Sequence, residues 1–378
     1  MKTKIKVFID VFYFRSALSG IRTYISELES ASKKYGSKNI EYIFSHDLNK
    51  LSKNQLYLNS NKRLMRLLFQ FNYLIWKQFI LPIKLLFYKP KYLICPDYIS
   101  PIFSFKSIKL TVIHDSLFWD YPKNYKSLWR NYFIFLINLG IDKRTHIITT
   151  SNYSKKNLSN IIKHSNSIDY IYQSFENVAC NKNDFKSNLK LPKKYILHVG
   201  SFERRKDLIT LFKGFNELKK NNSFSDIKLV LVGAQTVNGD KSTIYQINKF
   251  IKENQLTNEV LLLGYVSKEI VLKCYKNASI YVFPSIDEGF GIPILEAFTY
   301  SVPVICSDTP IFKEIGGDSV CYFKTRDYFS LSKKIQFLIE SKNERENLIK
   351  KGNHRIKKFS RKNFIGGYEN IILNYHDK

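Results

Sequence analysis

The sequence predicts two doubly wound α/β domains in tandem. Three observations lead there. Short apolar runs alternate with segments of helical periodicity along most of the chain. Near-continuous apolar runs between helices mark parallel strands buried on both faces. The runs fall into two series, separated by the patternless stretch from Glu176 to Lys194, rich in Asn and Lys. Finally, 378 residues with 44% hydrophobic and 24% charged suit two globular domains that each bury a core.

The first series comprises KIKVFID (4–10), IEYIFSH (40–46), KYLICPD (91–97), KLTVIHD (109–115) and HIITTS (146–151). The second comprises YILHVGS (195–201), KLVLVGA (228–234), EVLLLGYV (259–266), ASIYVFPS (278–285) and VPVICSD (302–308). Each ends in small or polar residues, where a strand gives way to a loop. Between them, Leu208, Leu211, Phe212, Phe215 and Leu218 recur at helical spacing. Ser267 is placed to cap a helix running to Ala278. In such sheets ligands bind outside the carboxyl ends of the strands. That rule singles out Asp10, His114, Asp115, Ser151, Gly200, Ser201, Gly233, Gly264, Pro284 and Ser285.

Charge narrows the partner. Lys plus Arg number 60 and Asp plus Glu 32, a net charge of +28. The excess implies nucleic acid, an acidic lipid surface or a phosphorylated substrate. A coding bias is the alternative, since the lysines sit among Asn, Ile, Tyr and Phe. Cys95, Cys180, Cys274, Cys306 and Cys321 are scattered with no CxxC pair, which argues against a disulfide framework or zinc site and for a reducing compartment. The N-terminus lacks the apolar core of a signal peptide. No run reaches the roughly 18 uncharged apolar residues of a spanning helix. The nearest, Leu64 to Tyr88, is broken by Arg66, Lys77 and Lys84. That segment suits an anionic membrane surface or a helix packed on the first domain. The expectation is a cytoplasmic protein, peripheral at the inner face of the cell membrane if the first alternative holds.

Four segments point to chemistry. In Pro284-Ser-Ile-Asp-Glu-Gly-Phe-Gly-Ile-Pro-Ile-Leu-Glu-Ala297, a strand ends, a glycine turn follows, and Pro293 suits a helix's first turn. Backbone N–H groups there can approach a diphosphate closely. Glu288 and Glu296 flank the turn as acceptors for sugar hydroxyls, neither with a basic partner nearby in sequence. In GSFERRKD (200–207), Arg204, Arg205 and Lys206 crowd a predicted helix N-terminus, where the helix dipole disfavours cations and a bound anion would offset the cost. On that reading Lys206→Ala leaves the melting temperature unchanged or slightly raised. His114 closes a strand at its ligand-facing end, and Ser19-Gly20-Ile-Arg-Thr-Tyr24 offers a loop for phosphate approach. No Walker GxxxxGK[ST], full GxGxxG after the first strand, HExxH, GxSxG or Asp-x-Asp motif occurs.

Together these segments resemble the retaining glycosyltransferases of family 4, glycosyl transferases group 1, with the GT-B fold. SGIRTYISEL, VIHDSLF, IITTSNYSKKNL, YILHVGSFERRKDLITLFKGF, LLLGYVSKEIVLKCYKNASIYVFPS and DEGFGIPILEAFTYSVPVICSD are similar to family blocks, in family order. The resemblance implies an acceptor-side domain over 1–176, a nucleotide-sugar domain over 177–355, and a terminal helix, 356–378, returning to the first. It implies Arg205 and Lys206 on the donor diphosphate, and backbone N–H groups of Phe290, Gly291 and Ile292 on sugar and phosphate. Glu288 would stand at the donor sugar, Glu296 at the ribose, His114 near the reacting sugar, and Gly20 where phosphate or acceptor enters. No metal or other cofactor is implied. The donor would be GDP-mannose or a UDP-sugar, with mannose favoured by the FERRKD block, and the acceptor a growing, lipid-linked surface polysaccharide or lipopolysaccharide. The sequence departs from the family at Arg22, where many members have a second glycine, at Ser201, often Arg, and at Arg204, commonly Pro. Competing readings are a GT-B-like sugar-nucleotide epimerase and a basic nucleic-acid-binding protein. The second lacks any recognisable reading module.

Overall fold

The structure is a computed structural model and describes residues 4–17, 20–53, 63–163, 165, 167–176, 189–233 and 241–374. Ser19, Cys180 and most of the predicted linker, 177–188, lie outside these. The chain divides into two compact units: Met1–Phe175 with Phe359–Lys378, and Glu176–Lys358.

The first unit is built on six parallel strands in the order β2-β1-β3-β4-β5-β6: β1 Ile5–Ile9, β2 Ile40–Phe44, β3 Tyr92–Cys95, β4 Ile108–Val112, β5 Thr145–Thr149 and β6 Ser167–Tyr170. The strands read as apolar runs because both faces are covered. Val7, Ile9, Tyr92, Ile94, Leu110 and Val112 pack beneath the helices Gly20–Tyr35 and Arg361–Asn374. Phe8, Leu93, Cys95, Ile113 and Ile147 face the opposite layer, formed by Arg63–Ile75, Leu81–Tyr88 and Ser127–Gly140. A π-helical turn, Trp76–Ile80, joins the first two of those helices into one helical run.

The second unit repeats the plan with order β12-β11-β10-β7-β8-β9: β7 Tyr195–Val199, β8 Lys228–Val232, β9 Val260–Leu262, β10 Ile280–Phe283, β11 Val304–Ser307 and β12 Cys321–Phe323. All its pairings are parallel. The helix Leu208–Lys219 buries Leu208, Leu211, Phe212, Phe215 and Leu218, as their spacing predicts. Ser267 sits at the N-cap of Lys268–Asn277, but its side chain makes no cap hydrogen bond; its hydroxyl is spent on Glu269.

Two short strands, β6 and β12, are absent from the sequence reading. Both close the edge of a sheet. Ser167–Tyr170 is polar and half-exposed, and Cys321–Phe323 has three residues, so neither shows an apolar run. Among the described residues, no helix is long and apolar enough to cross a membrane.

Candidate functional site

In the second unit the strand order reverses between β7 and β10, the point where doubly wound sheets open a crevice. Two loops leave it. After β7 come Gly200 and Ser201, then a turn of 3-10 helix at Arg204–Lys206. After β10 come Pro284, Ser285 and the turn that leads to the helix Ile292–Thr299. The Ile286 amide donates to the Arg205 carbonyl at 2.8 Å, which ties the loops together. Gly291 has φ +101°, a conformation that side chains disfavour, and it caps the helix while Pro293 lies in the first turn. Gly233, at the end of β8, is also obligatory: its φ is +127°, and a Cβ there would overlap the Gly200 carbonyl oxygen.

Glu288 joins the loops electrostatically. Its Oε1 lies 2.6 Å from Arg205 Nη1 and 2.5 Å from Lys206 Nζ. All three side chains are largely buried. Glu203 holds the other edge of the guanidinium at 3.0 Å, and Arg205 Nη1 also donates to the Asp287 carbonyl at 3.3 Å. Burial alone would raise the Glu288 pKa. The Arg205 and Lys206 charges overcome that and bring it down to about 2. Lys206 Nζ also lies 5.1 Å from the centre of the Phe283 ring.

This geometry corrects two expectations. The three cations do not crowd the N-terminus of Leu208–Lys219. They form their own turn, set off by Asp207 in the left-handed conformation (φ +47°). Lys206 is 7% exposed and ion-paired, so its removal cannot be neutral for stability. It would leave the buried Glu288 with one cation fewer.

The other second-unit candidates surround this pair. Phe290 is buried at 5% exposure. Gly291 and Ile292 open the helix, whose first N–H groups have no acceptor within the helix itself. Glu296, one turn further on, accepts the Tyr275 hydroxyl at 2.8 Å, and burial pushes its carboxyl up. His198, which sequence reasoning missed, lies wholly buried in β7. Its Nδ1 meets the Val282 carbonyl at 3.0 Å, while Nε2 is buried without a partner. A Cβ on Gly200 would sit 3.1 Å from that Nε2 and 3.9 Å from Lys206 Cε, so the imidazole borders the cation cluster. A histidine inside an otherwise apolar, doubly buried strand was the available signal.

In the first unit, His114 follows β4. Its Nε2 meets the Pro96 carbonyl at 2.9 Å and its ring packs against Tyr24 and Tyr98. Burial lowers its pKa to about 4, so the imidazole is neutral with Nε2 protonated. Gly20 begins the helix Gly20–Tyr35, and a Cβ there would meet nothing within 4 Å. The fold itself therefore does not demand glycine at that position. Arg22 stacks over Phe14, 4.3 Å from its centroid. The strand order of this sheet reverses between β1 and β3, where the protein's own side chains fill the crevice. Lys77 Nζ bridges Asp10 at 2.7 Å and Asp97 at 2.8 Å, all fully buried. Trp76 donates to Asp10 and Tyr73 to Asp97, each at 2.9 Å. A hollow of about 180 Å³ beside it is lined by Phe12, Arg15, Phe69, Asn72, Trp76 and Ile80. Among the described residues no group of three or more His, Cys, Asp or Glu side chains is arranged to hold a metal ion.

Two parallel six-stranded sheets, with cations and a glycine-capped helix at the second sheet's switch point, define a GT-B protein. Residues 181–355 match the family described as glycosyl transferases group 1. The chain is 29% identical over 216 residues to the O-antigen chain mannosyltransferase RfbU of Salmonella typhimurium, covering 57% of this chain and 56% of that one. It is 30% identical over 169 residues to the O-antigen chain mannosyltransferase B of Escherichia coli, covering 45% and 43%. These matches span about half the length of each relative. Among solved structures, Anabaena Alr3699/HepE in complex with UDP-glucose superposes with a TM-score of 0.69 at 14% identity, covering 98% of this chain and all of the other. At that identity the likeness concerns the fold.

Proposed function

We propose that this chain is a retaining glycosyltransferase that moves a sugar from a nucleotide-sugar donor to a growing, lipid-linked surface polysaccharide. The observation that carries the reading is the Glu288 carboxylate held between Arg205 and Lys206 beside the capped helix Ile292–Thr299. Arg205 and Lys206 are held by the carboxylates of Glu203 and Glu288, and a diphosphate competes with Glu288 for both cations. In the reaction the bond from the sugar's anomeric carbon to the diphosphate oxygen breaks. The charge that develops on that oxygen is stabilised by Arg205, Lys206 and the helix N-terminus. The acceptor hydroxyl attacks the oxocarbenium-like sugar from the face the diphosphate leaves, and a departing phosphate oxygen takes its proton. Glu288, released from its cations, holds the sugar; Glu296 holds the ribose; amides of Phe290, Gly291 and Ile292 hold phosphate and sugar. His114, neutral with Nδ1 as an acceptor, positions a sugar hydroxyl, and Gly20 admits the phosphate or acceptor. Arg205 and Lys206 take the part that a metal ion plays elsewhere, so activity should persist in EDTA.

Mannose is the favoured sugar, because the relatives named above are called mannosyltransferases. GDP-mannose is then the donor, and a UDP-sugar the alternative. The same relatives, named for O-antigen, favour a surface polysaccharide or lipopolysaccharide acceptor, and a lipid-linked acceptor puts the enzyme at the inner face of the cell membrane.

Calorimetry with GDP, UDP, dTDP and their sugar conjugates tests the donor. The cognate nucleoside diphosphate should bind the parent chain. Arg205→Ala and Lys206→Ala should each weaken it by about ten- to a hundredfold, as the loss of a hydrogen bond to a charged group implies. Glu288→Ala should lower turnover by orders of magnitude while nucleoside-diphosphate affinity holds or tightens, because its carboxylate no longer competes. Unchanged affinity in both cation variants would reduce the cluster to a basic loop.

A further inference from the structure

The helical run from Arg63 to Tyr88 is apolar on both sides. Its inner side buries Phe69, Leu81 and Leu85 around a polar anchor: Lys77 on Asp10 and Asp97, Tyr73 on Asp97, Trp76 on Asp10. Its outer side carries Leu64, Leu67, Phe71, Phe79, Ile83 and Phe87, each more than half exposed. Water on the outside would select a polar outer face.

The feature does not stop at this run. The helix Ser127–Gly140 lies in the same layer on the sheet. It turns Leu128, Tyr132, Phe135 and Leu139 outward at the spacing of one helical face, exposed from 39% to 89%. Between the two helices runs the segment 98–107. The Ile102 amide donates to Gln78 Oε1 at 3.0 Å on one side. Ser100 Oγ donates to the Gly140 carbonyl at 2.9 Å on the other. This segment exposes Phe103 and Phe105. Three neighbouring segments thus share one apolar face. Scattered exposed apolar residues are ordinary, but a continuous face calls for a partner.

Charge decides which partner. Residues 63–144 contain 13 Lys and Arg against four Asp and no Glu. Lys89, Lys106, Lys123 and Lys126 are exposed among these segments. A second copy meeting this face through a two-fold axis would bring like charges together. A surface of acidic lipids meets both the charge and the apolar area. A spanning role is ruled out for the run by Lys77, which anchors it on the sheet through two buried carboxylates.

We propose that this face docks on an anionic lipid bilayer, with the outward side chains of Arg63–Tyr88 and Ser127–Gly140 entering the headgroup–acyl boundary. The assignment deepens the proposed function and rests on it, since it gives the lipid-linked acceptor its membrane.

Flotation of the full chain with vesicles tests it. One set contains phosphatidylglycerol and phosphatidylethanolamine, the other phosphatidylcholine alone. The parent chain should float with the anionic set, less so as salt rises. Phe79→Ser/Phe87→Ser and Leu128→Ser/Phe135→Ser should each weaken partition by about tenfold or more, with unchanged melting curves and nucleoside-diphosphate affinity. No partition by the parent, or equal partition by both double variants, overturns the proposal. So does a parent dimer that the variants convert to monomer. Nucleotide binding without vesicle binding removes the docking face alone. Vesicle binding of the expected kind without nucleotide binding removes the transferase reading and leaves the face.

Discussion

Glu288 and His198 show two ways in which a buried ionisable side chain is held in one state. Glu288 stays charged because two cations from a loop 82 residues away in sequence reach it. That pairing was not legible in the sequence: the family resemblance put EGFG and FERRKD on one donor, but only the adjacency of β7 and β10 brings Glu288 within reach of Arg205 and Lys206. His198 stays neutral because burial lowers its pKa to about 4 against an ordinary 6.5. An unfolded chain therefore takes up a proton on His198 between those values when the folded chain does not. Its contribution to stability is complete above about pH 6.5 and falls, as the pH drops towards 4, by about 1.4 kcal/mol per pH unit. His198→Asn keeps a donor for the Val282 carbonyl and cannot titrate in this range. The variant should show a shallower decline of melting temperature between pH 6.5 and 4.5 than the parent. Equal slopes would assign the decline to other groups, such as His114, whose pKa burial also lowers.

The strands were the most legible elements. Parallel strands covered on both faces must be apolar throughout, so the inner strands appear as runs, and the edge strands β2 and β9 carry enough apolar residues to join them; β6 does not, because Ser167–Tyr170 is polar and half-exposed, and β12 does not, because it is only three residues long. The helical run Arg63–Tyr88 was left between two environments by its sequence, and the structure shows why. It has a buried side and an apolar exposed side at once. The π-helical turn at Trp76–Ile80 inserts an extra residue into the helical repeat. Trp76 and Lys77 thereby both face inward, onto Asp10 and Asp97. Lys77→Met should be costly, since it leaves two buried carboxylates without their cation, a loss on the order of 3–5 kcal/mol. The triple variant Asp10→Asn/Lys77→Met/Asp97→Asn removes the charges together and should be milder. Urea titration of both chains checks the order, and a single variant as stable as the parent would mean the triad does not seat the run.

At the scale of the molecule, the chain leaves the first unit at Phe175 and re-enters it at Phe359. The returning helix Arg361–Asn374 is bound by many specific contacts. Arg361 grips Glu27 with two bonds of 2.9 and 2.7 Å, the Tyr24 and Tyr368 hydroxyls meet at 2.6 Å, and Tyr92 donates to the Ile372 carbonyl at 2.9 Å. Phe364, Ile365, Tyr368 and Ile372 complete the layer over Tyr24, Ile25 and Leu28. A chain truncated after Lys358 should therefore lose stability in the first unit and keep it in the second. Limited proteolysis followed by fragment mapping would show this as early cleavage within residues 4–175; parent-like protection there would make the helix an ornament of the fold.

The same closure orders events during synthesis. The strands β1 to β6 emerge from the ribosome first, but the helix that covers one face of their sheet emerges only after the 183 residues of Glu176–Lys358. At elongation speeds of about 5–20 residues per second, that is a wait of roughly 10–40 s. Throughout it, Val7, Ile9, Ile25, Leu28 and Tyr92 have no finished layer above them. The nascent first unit is thus a natural client for a chaperone that shields apolar surface, and the half of the protein made first is the half that matures last.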